Sequence, residues 1–244
     1  MRNIKLVIEY DGSDLFGFQK QNGYRTVQSE LEAALKKLFH TNIKVIASGR
    51  TDSGVHAEAQ VVNFHVDSKL DLPKIQFGLN HYLPEDIAVI QIEKVFPTFH
   101  AQHAAKRKVY EYRVFNSNHR SPLERSHSLF FPHPLNVGRM KQAARLFVGR
   151  HDFRVFEASG GRRKSAVRTI RRFEVQKKGQ MICFTVEADG FLYKMVRSMV
   201  GTLLQVGSGK ISLAVFKVLM VSGKREEVGP TAPAQGLTLK KVSY

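Results

Sequence analysis

Cysteine and tryptophan are almost missing from this sequence, which has one cysteine and no tryptophan in 244 residues. The single thiol, Cys183, cannot form a disulfide within one chain, and it cannot build a cysteine-based zinc site. A chain without disulfides is typical of a reducing compartment, so we expect a cytoplasmic location.

Long apolar stretches are also missing. No run approaches the roughly 18 residues that span a bilayer. The N-terminus enters an alternating strand pattern by Ile4 and lacks the apolar core of a signal peptide. The sequence therefore predicts a protein that is neither exported nor inserted in a membrane.

Acidic residues are scarce relative to basic ones. The chain has 21 Asp and Glu against 38 Lys and Arg, a formal net charge of +17. A globular protein this basic usually binds a polyanion, and nucleic acid is the leading candidate. The alternative is a basic surface that serves only to keep the protein dispersed in water.

The apolar periodicity predicts an α+β protein of two halves, the first ordered strand, helix, strand, strand, helix, strand and the second repeating this order approximately. This is the ferredoxin-like (RRM-like) arrangement, and we expect its two antiparallel sheets to pack into one pseudosymmetric sheet with helices on the outer face. The predicted elements of the first half are Ile4–Tyr10, a helix capped by Thr26, Ile43–Ala47, Gln60–Val66, Pro73–Tyr82 and Ile87–Lys94. Those of the second half are Lys108–Phe115, Val137–Phe147, Val167–Val175, Met181–Ala188, Phe191–Val206, Ile211–Val221 and Gly236–Tyr244.

We place the boundary between the halves after residue 104. Residues 1–104 then hold the candidate catalytic loop, and residues 105–244 hold the Tyr110 strand and the Arg197 helix. No linker rich in Gly, Ser or Pro marks this boundary.

Asp52 lies in the motif Gly-Arg-Thr-Asp-Ser-Gly-Val-His-Ala, which spans Gly49–Ala57 between two apolar segments. The two glycines favour a loop. The neighbouring guanidinium of Arg50 favours an ionised carboxylate, which could act as a nucleophile or a base. The alternative is that Asp52 only caps a turn, as Asp beside Gly often does.

Two tyrosines, Tyr110 and Tyr112, lie on one face of a predicted strand directly after the cations Lys106, Arg107 and Lys108. Aromatic rings beside cations on an open sheet suit stacking on unpaired bases. The alternative is that one or both tyrosines pack in the core.

Arg197 falls inside a strongly apolar predicted helix, where an unpaired buried charge would be costly. It therefore needs a partner or a route to water. Asp52 is the candidate partner; the alternative is that Lys194 and Arg197 extend to solvent.

A run of cations in the second half offers contacts to phosphates. Its members are Arg162, Arg163, Lys164, Arg168, Arg171 and Arg172. The alternative is a solvated loop without a ligand.

Other motifs do not support a metal or a cofactor. Gly207–Ile211 resembles the end of a phosphate loop, but it lacks the leading glycine and follows a predicted helix. The histidines at 56, 65, 100 and 103 lack the spacing of a zinc site and are more typical of structural or RNA-facing positions. We therefore expect neither a metal nor a cofactor.

Several short segments along the chain form a further pattern. They are Tyr10–Gly12, Gly17–Gln19, Gly49–Ala57, Leu83–Ile87, Phe99–Ala101, Tyr110–Tyr112, Met195–Gly201, Gly236–Leu237 and Tyr244. In this ordered set, essentially the whole chain resembles the bacterial tRNA pseudouridine synthase A family.

The resemblance implies that Asp52 is the catalytic aspartate, Tyr110 the aromatic beside the target base and Arg197 the basic partner of the aspartate. It also implies isomerisation of uridine to pseudouridine on the 3′ side of the anticodon stem-loop of tRNA, at positions 38, 39 and 40 in tRNA numbering. A homodimer that shares each tRNA and the absence of a required cofactor are implied as well.

The sequence departs from the family pattern at three positions. Phe18 stands where the family often has Trp, Ser53 where it usually has Ala, and Gln102 where it often has Arg. The change at Gln102 brings one RNA or active-site contact into question. Two other function classes share some of these features, a non-catalytic RNA-binding protein and an RNA nuclease or methyltransferase, although a methyltransferase usually needs a glycine-rich cofactor loop.

Overall fold

The computed structural model describes residues 1–160, 165–222 and 224–244 and shows ten strands and five α-helices within those ranges. The predicted α+β class is confirmed. The chain divides into two compact units: unit 1 contains Met1–Lys106 and Leu239–Tyr244, and unit 2 contains Arg107–Thr238. None of the helices in the described ranges has the length and apolar character needed to cross a membrane.

Unit 1 is a sheet with two helices. Its elements are β1 (Arg2–Tyr10), α1 (Val27–Phe39), β2 (Ile46–Ala47), β3 (His56–Val66), α2 (Leu72–Tyr82), β4 (Ile87–Val95) and most of the chain's last strand (Leu237–Ser243). Strand β1 is central, with β3 on one side and β4 on the other, and β2 pairs with β3. The element order predicted for the first half is therefore present.

The apolar alternation of β1 decides which face of this sheet forms the core. Ile4, Leu6 and Ile8 are fully buried and Tyr10 is 3% exposed. Helix α1 covers this core with an apolar face and begins at Thr26, whose side chain accepts from the backbone N–H of Ser29 in a capping box.

The segment that follows β4 packs on the other face of the unit 1 sheet, at the end that carries Asn3 and Asn63. Asn3 Nδ2 donates to the Phe99 carbonyl at 2.9 Å, and Asn63 Nδ2 donates to Asn3 Oδ1 at 2.9 Å. The Ala101 N–H donates to Asn63 Oδ1 at 2.9 Å, and the Tyr244 hydroxyl donates to the Ala101 carbonyl at 3.0 Å. These two buried amides therefore have partners, and they fix the segment to the sheet.

Unit 2 has a second sheet and three helices. Its elements are β5 (Arg107–Asn116), β6 (Leu129–Phe131), α3 (Val137–Leu146), β7 (Gly149–Asp152), β8 (Val167–Lys178), β9 (Met181–Ala188), α4 (Met195–Gly207) and α5 (Leu213–Ser222). The order β5, β9, β8, β7 is antiparallel throughout, and the short β6 runs parallel to β5.

An aromatic cluster forms much of the core of unit 2. The Phe147 ring centroid lies 5.1 Å from that of Phe156, 5.2 Å from Phe216 and 5.4 Å from Phe173. Three of these rings are fully buried and Phe173 is 5% exposed. Helix α3, helix α5 and strand β8 are thus held together largely by the burial of aromatic rings.

The structure corrects one predicted helix and adds two strands. The helix predicted from Phe191 begins only at Met195, because Lys194 adopts the left-handed conformation with φ +56° and the residues before it form a turn. Strands β6 and β7 have three and four residues. Such short strands leave no period-two signal in a sequence.

Candidate active site around Asp52

The Asp52 loop joins β2 to β3, and a buried glutamine fixes its start. Gln60 is fully buried. Its Oε1 accepts from the Ser48 hydroxyl at 2.5 Å, and its Nε2 donates to the Gly49 carbonyl at 3.0 Å. A side chain from β3 therefore satisfies the polar groups at the first two residues of the loop.

Asp52 begins a tight turn that ends at Val55. The Val55 N–H donates to the Asp52 carbonyl at 3.2 Å, and Gly54 has φ +77°. The Asp52 side chain is only partly buried, whereas Thr51 before it and Val55 after it are buried. The turn thus holds a carboxylate at the surface of unit 1 between two buried anchors.

A second segment, Leu15–Phe18, packs against this turn. The Phe18 N–H donates to the Thr51 carbonyl at 3.1 Å, and the Gly54 N–H donates to the Leu15 carbonyl at 3.2 Å. Gly17 has φ +80°, and a Cβ at this position would lie 2.7 Å from the Thr51 carbonyl oxygen. Only glycine allows the two backbones to approach this closely in this conformation.

We expect Gly17→Ala to displace the Asp52 turn and to lower turnover more than tenfold. Gly23→Ala is a matched control, because Gly23 has φ +79° but open space around its Cβ position. Each substitution costs about 1–2 kcal/mol for the left-handed backbone, and only Gly17→Ala adds the backbone clash, about 1–3 kcal/mol. Urea unfolding measures the loss of stability in each variant, and an activity assay measures the loss of turnover. Equal losses would show that the contact with Thr51 does not matter.

Tyr10 supports the loop from the end of β1. Its hydroxyl lies 2.8 Å from Thr51 Oγ1, and both side chains are buried. Burial raises the pKa of Tyr10 to about 12, although its hydrogen bonds to Thr51 and Gln60 act in the opposite direction. The phenol therefore stays neutral and keeps its hydrogen bond far above neutral pH.

This shifted pKa predicts a loss of stability in alkali. The folded state holds the Tyr10 proton more tightly than the unfolded state, so the stabilisation is complete below pH 10 and is lost as the pH rises toward about 12. We expect the ionisation of Tyr10 to lower the free energy of unfolding by roughly 2 kcal/mol near pH 11.5. Tyr10→Phe has no ionisable hydroxyl, so this part of the loss should be missing in the variant. Urea unfolding of both proteins at pH 9 and pH 11.5 measures it. A variant that lost as much stability as the wild type would exclude Tyr10 as the source.

His56 is a buried structural residue at the end of the same loop. Its side chain is 3% exposed. The Gly12 N–H donates to Nδ1 at 3.0 Å, and Asp11 Oδ1 also lies 3.0 Å from Nδ1. A Cβ at Gly12 would lie 2.2 Å from the Val55 carbonyl oxygen, so the Asp11-Gly12 turn and the Asp52 loop pack backbone against backbone.

Arg50 is exposed in the loop. Its effect on the ionisation of Asp52 stays a prediction.

In unit 2, Tyr110 and Tyr112 lie on the buried face of β5. Tyr110 pairs with Val186 and is 9% exposed, and its ring meets that of Phe191 edge-on with centroids 5.2 Å apart. Tyr112 pairs with Phe184, is fully buried and donates its hydroxyl to the Pro233 carbonyl at 2.8 Å. Burial raises the pKa of Tyr112. For Tyr112 the expected open face is therefore wrong, because this side chain is buried in the core, and the contact of Tyr110 with a base stays a prediction.

Arg197 lies in the first turn of α4 and is partly buried. Its Nε donates to the Ala232 carbonyl at 2.7 Å, and the Ala232 N–H donates back to the Arg197 carbonyl at 3.1 Å. The charge of Arg197 favours the ionised form of Tyr112, against the larger effect of burial. A backbone carbonyl is thus one partner of this guanidinium, which the apolar sequence around it did not indicate.

The cations that were predicted to contact phosphates differ in exposure and in their partners. Lys106 and Arg107 are exposed, Lys108 is partly buried, and Arg107 Nη1 lies 3.3 Å from Glu187 Oε1. Arg168 Nη1 donates to the Val167 carbonyl at 2.6 Å. Arg162, Arg163 and Lys164 lie outside the described residues.

The positive charge is concentrated in one unit. Unit 1 has 14 Lys and Arg and 12 Asp and Glu, a formal charge of +2, whereas unit 2 has 24 and nine, a formal charge of +15. The unit with the Asp52 loop is therefore almost neutral, and unit 2 has nearly all the excess that favours a polyanion.

Sequence reasoning missed the residues that hold the loop. In the sequence Gln60 is only the first residue of a predicted strand, and the contact between Tyr10 and Thr51 joins residues 41 positions apart. Tyr244, which forms a side-chain hydrogen bond with Ser48 and has its pKa raised by burial, is the last residue of the chain. Tyr10, Thr51 and Tyr244 belong to the segments that carry the family resemblance, whereas Gln60 lies outside them.

Comparison with known proteins gives consistent matches. The family model described as tRNA pseudouridine synthase matches residues 6–103 and 143–244. The chain is 42% identical over 244 residues to tRNA pseudouridine synthase A of Thermoanaerobacter sp. (strain X514), and 43% identical over 244 residues to tRNA pseudouridine synthase A 2 of Clostridium perfringens (strain 13 / Type A). Each alignment covers 100% of both chains.

Among solved structures, the chain is similar to one from a crystal structure of a Cbf5-Nop10-Gar1 complex, with a TM-score of 0.38 and 12% identity. That match covers 97% of this chain and 58% of the other. A likeness this weak adds nothing to the assignment, which depends on the family model and the full-length relatives. On that basis, this chain belongs to the tRNA pseudouridine synthase family.

Proposed function

We propose that this protein converts uridine to pseudouridine in tRNA, with Asp52 as its essential carboxylate. The full-length identity of 42–43% to proteins named tRNA pseudouridine synthase A supports this most strongly. The Asp52 loop adds to it, because buried side chains and two glycine contacts hold a partly exposed carboxylate in a fixed turn. A fixed geometry is what a reacting side chain requires.

The reaction breaks the glycosidic bond of uridine, rotates the uracil and rejoins it through C5, with loss of the C5 proton. It is an isomerisation without net redox change or added group. A uridine turned out of the RNA stack gives a side chain access to the sugar and the base. Asp52 acts there either as a nucleophile at C1′ or as a base that removes a sugar proton.

We assign supporting roles to three further residues. Tyr110 contacts the target base, Arg197 stabilises the ionised carboxylate, and Arg50 helps to hold the substrate. The double contact of Arg197 with Ala232 supports this role, since it fixes the arginine backbone and one nitrogen of its guanidinium. Its coupling to Asp52 is testable by a double-mutant cycle on turnover.

Finer features belong to the same proposal. The enzyme acts on the anticodon arm as a homodimer in the cytoplasm, as its family resemblance suggests. Its halves are ferredoxin-like and related by pseudosymmetry, with a division near residue 104. In unit 1, β1 lies between β4 and β3, and β2 pairs with β3; in unit 2, β9 lies between β5 and β8, and both arrangements support this relation.

The direct test is tritium release from tRNA labelled at uridine C5. We expect the purified chain to release tritium without any added cofactor and to leave the RNA uncut on a denaturing gel. Binding without release would favour a non-catalytic RNA-binding protein, and cleavage would favour a nuclease. Either result would overturn the proposal.

The charge difference between the units predicts how tRNA binding responds to salt. Cations that contact phosphates release counterions, so the logarithm of affinity falls linearly with the logarithm of salt concentration, by about one unit of slope per contact. The exposed pair Arg171 and Arg172 in β8 is expected to contribute to this slope, unlike the exposed pair Lys36 and Lys37 in α1. In one double variant Arg171 and Arg172 are replaced by glutamine, and in the other Lys36 and Lys37 are. Filter binding at several salt concentrations compares the slopes of the two variants. A flat response of the wild type, or an equal change in both variants, would contradict binding through unit 2.

A further inference from the structure

We propose that Phe16 and Tyr24 form an aromatic platform on which a nucleobase next to the target uridine stacks. This inference depends on the proposed function. It assigns a substrate contact to two side chains of unit 1 that have no role in the chemistry proposed for Asp52.

The two rings are exposed and touch each other. Phe16 is 48% exposed and Tyr24 is 50% exposed, and their centroids lie 4.3 Å apart at an angle of 37°. Each ring therefore keeps about half of its surface in water while the pair forms one apolar patch. Contiguous exposed apolar surface is a common mark of a binding site.

The loop that carries the platform is ordered by its own hydrogen bonds. The Phe16 N–H donates to the Arg25 carbonyl at 2.9 Å, and the Gln21 side chain donates to the Phe16 carbonyl at 3.0 Å. Arg25 makes two bonds to the Asp86 carboxylate, at 2.6 and 2.7 Å, which raise the pKa of the guanidinium. A bidentate pair of this kind fixes the loop at its base, so the rings are positioned before a ligand arrives.

The platform is adjacent to the candidate catalytic turn. Phe16 stands between Leu15, whose carbonyl accepts from Gly54, and Gly17, whose backbone packs against Thr51. Consecutive Cα atoms are about 3.8 Å apart, so the Phe16 backbone is one residue from both contacts with the Asp52 turn. A base stacked on these rings would therefore be a near neighbour of a uridine presented to Asp52.

A nucleobase fits this patch better than another apolar ligand. The patch consists of two aromatic faces, and stacking on such faces accepts any base. The chain as a whole has an excess of 17 positive charges, nearly all of it in unit 2, which favours a polyanion over an apolar protein surface as its partner. The occupant we assign is thus a base of the RNA substrate.

Because the chain has no tryptophan, a single tryptophan introduced into the platform is a direct fluorescence probe. Tyr24→Trp makes residue 24 the only tryptophan of the chain. We expect its fluorescence to be quenched when an anticodon-arm RNA binds, and an abasic nucleotide beside the target uridine to remove most of the quenching. Binding that saturates in a filter assay while the emission stays unchanged would overturn the platform.

Kinetics of alanine variants provide a second readout. We expect Phe16→Ala and Tyr24→Ala to raise KM at least tenfold with kcat within about twofold of wild type, and Tyr24→Phe to retain the wild-type KM, since it keeps the ring. Phe77→Ala is a matched control, because Phe77 is 79% exposed in α2 of the same unit. An unchanged KM in both alanine variants, or an equal rise in Phe77→Ala, would refute the proposal.

The two proposals fail in different ways. If wild-type protein releases tritium but the tryptophan probe does not respond to RNA, the platform is wrong and the proposed activity stands. If the probe is quenched through an identifiable base but no tritium is released, the stacking contact stands and the proposed activity is wrong.

Discussion

Asp52→Asn is expected to abolish turnover while tRNA binding is retained. The amide has the size of the carboxylate but can act neither as a nucleophile nor as a base, so the loss should be roughly 10⁴-fold or more. Tritium release from C5-labelled tRNA measures it. Affinity for tRNA should stay the same or rise slightly, because the substitution removes one negative charge from a protein that binds a polyanion.

The matched control for this variant is Asp67→Asn. Asp67 follows β3 at the end away from the Asp52 loop, and its side chain is 94% exposed. It carries the same change of charge without the proposed chemistry, so its turnover should equal that of the wild type. Normal isomerisation by Asp52→Asn would show that the essential carboxylate is elsewhere.

Gly201→Ala is expected to produce a large loss of stability, against the usual preference of helices. Alanine in a helix interior is favoured over glycine by about 1 kcal/mol. In α4, however, a Cβ at Gly201 would lie 1.7 Å from the Pro230 carbonyl oxygen. The backbone around Pro230 would have to move, so we expect the free energy of unfolding to fall by about 3 kcal/mol or more.

The same substitution should impair activity, because the displaced backbone includes Ala232, which holds Arg197 through two hydrogen bonds. Gly207→Ala in α4 is the matched control. A Cβ there would meet the flexible side chain of Met140, at 2.7 Å from its sulfur, so the neighbour can adjust and the loss should be smaller. Urea unfolding compares the two variants. If Gly201→Ala proved as stable as the wild type, the close packing of this segment on α4 would be refuted.

Local sequence patterns were sufficient to predict most of the helices and strands. The alternation at Ile4, Leu6 and Ile8 predicted β1, and Thr26 followed by an apolar face predicted α1. These signals are local, because strand and helix periods place every second, or every third and fourth, side chain on one face. The start of α4 was missed for a local reason too, since the left-handed turn at Lys194 occurs within an apolar run that continues into the helix.

Periodicity could not predict which face of strand β5 is buried. Tyr110 and Tyr112 share a face by their spacing, but only the pairing with Val186 and Phe184 shows that this face is the buried one. Spacing along a strand determines which side chains point together, and it carries no information about what covers them. The expected open face was therefore wrong for Tyr112.

The sequence by itself determined the class of fold, the basic character and the motif that contains Asp52, because these depend on composition and on neighbours along the chain. The tertiary structure alone decided what holds the site. Gln60 reaches back to Gly49, Tyr10 supports Thr51, and Tyr244 bonds to Ser48 from the far end of the chain. Contacts of this kind join residues that are brought together only by packing, so no local pattern encodes them.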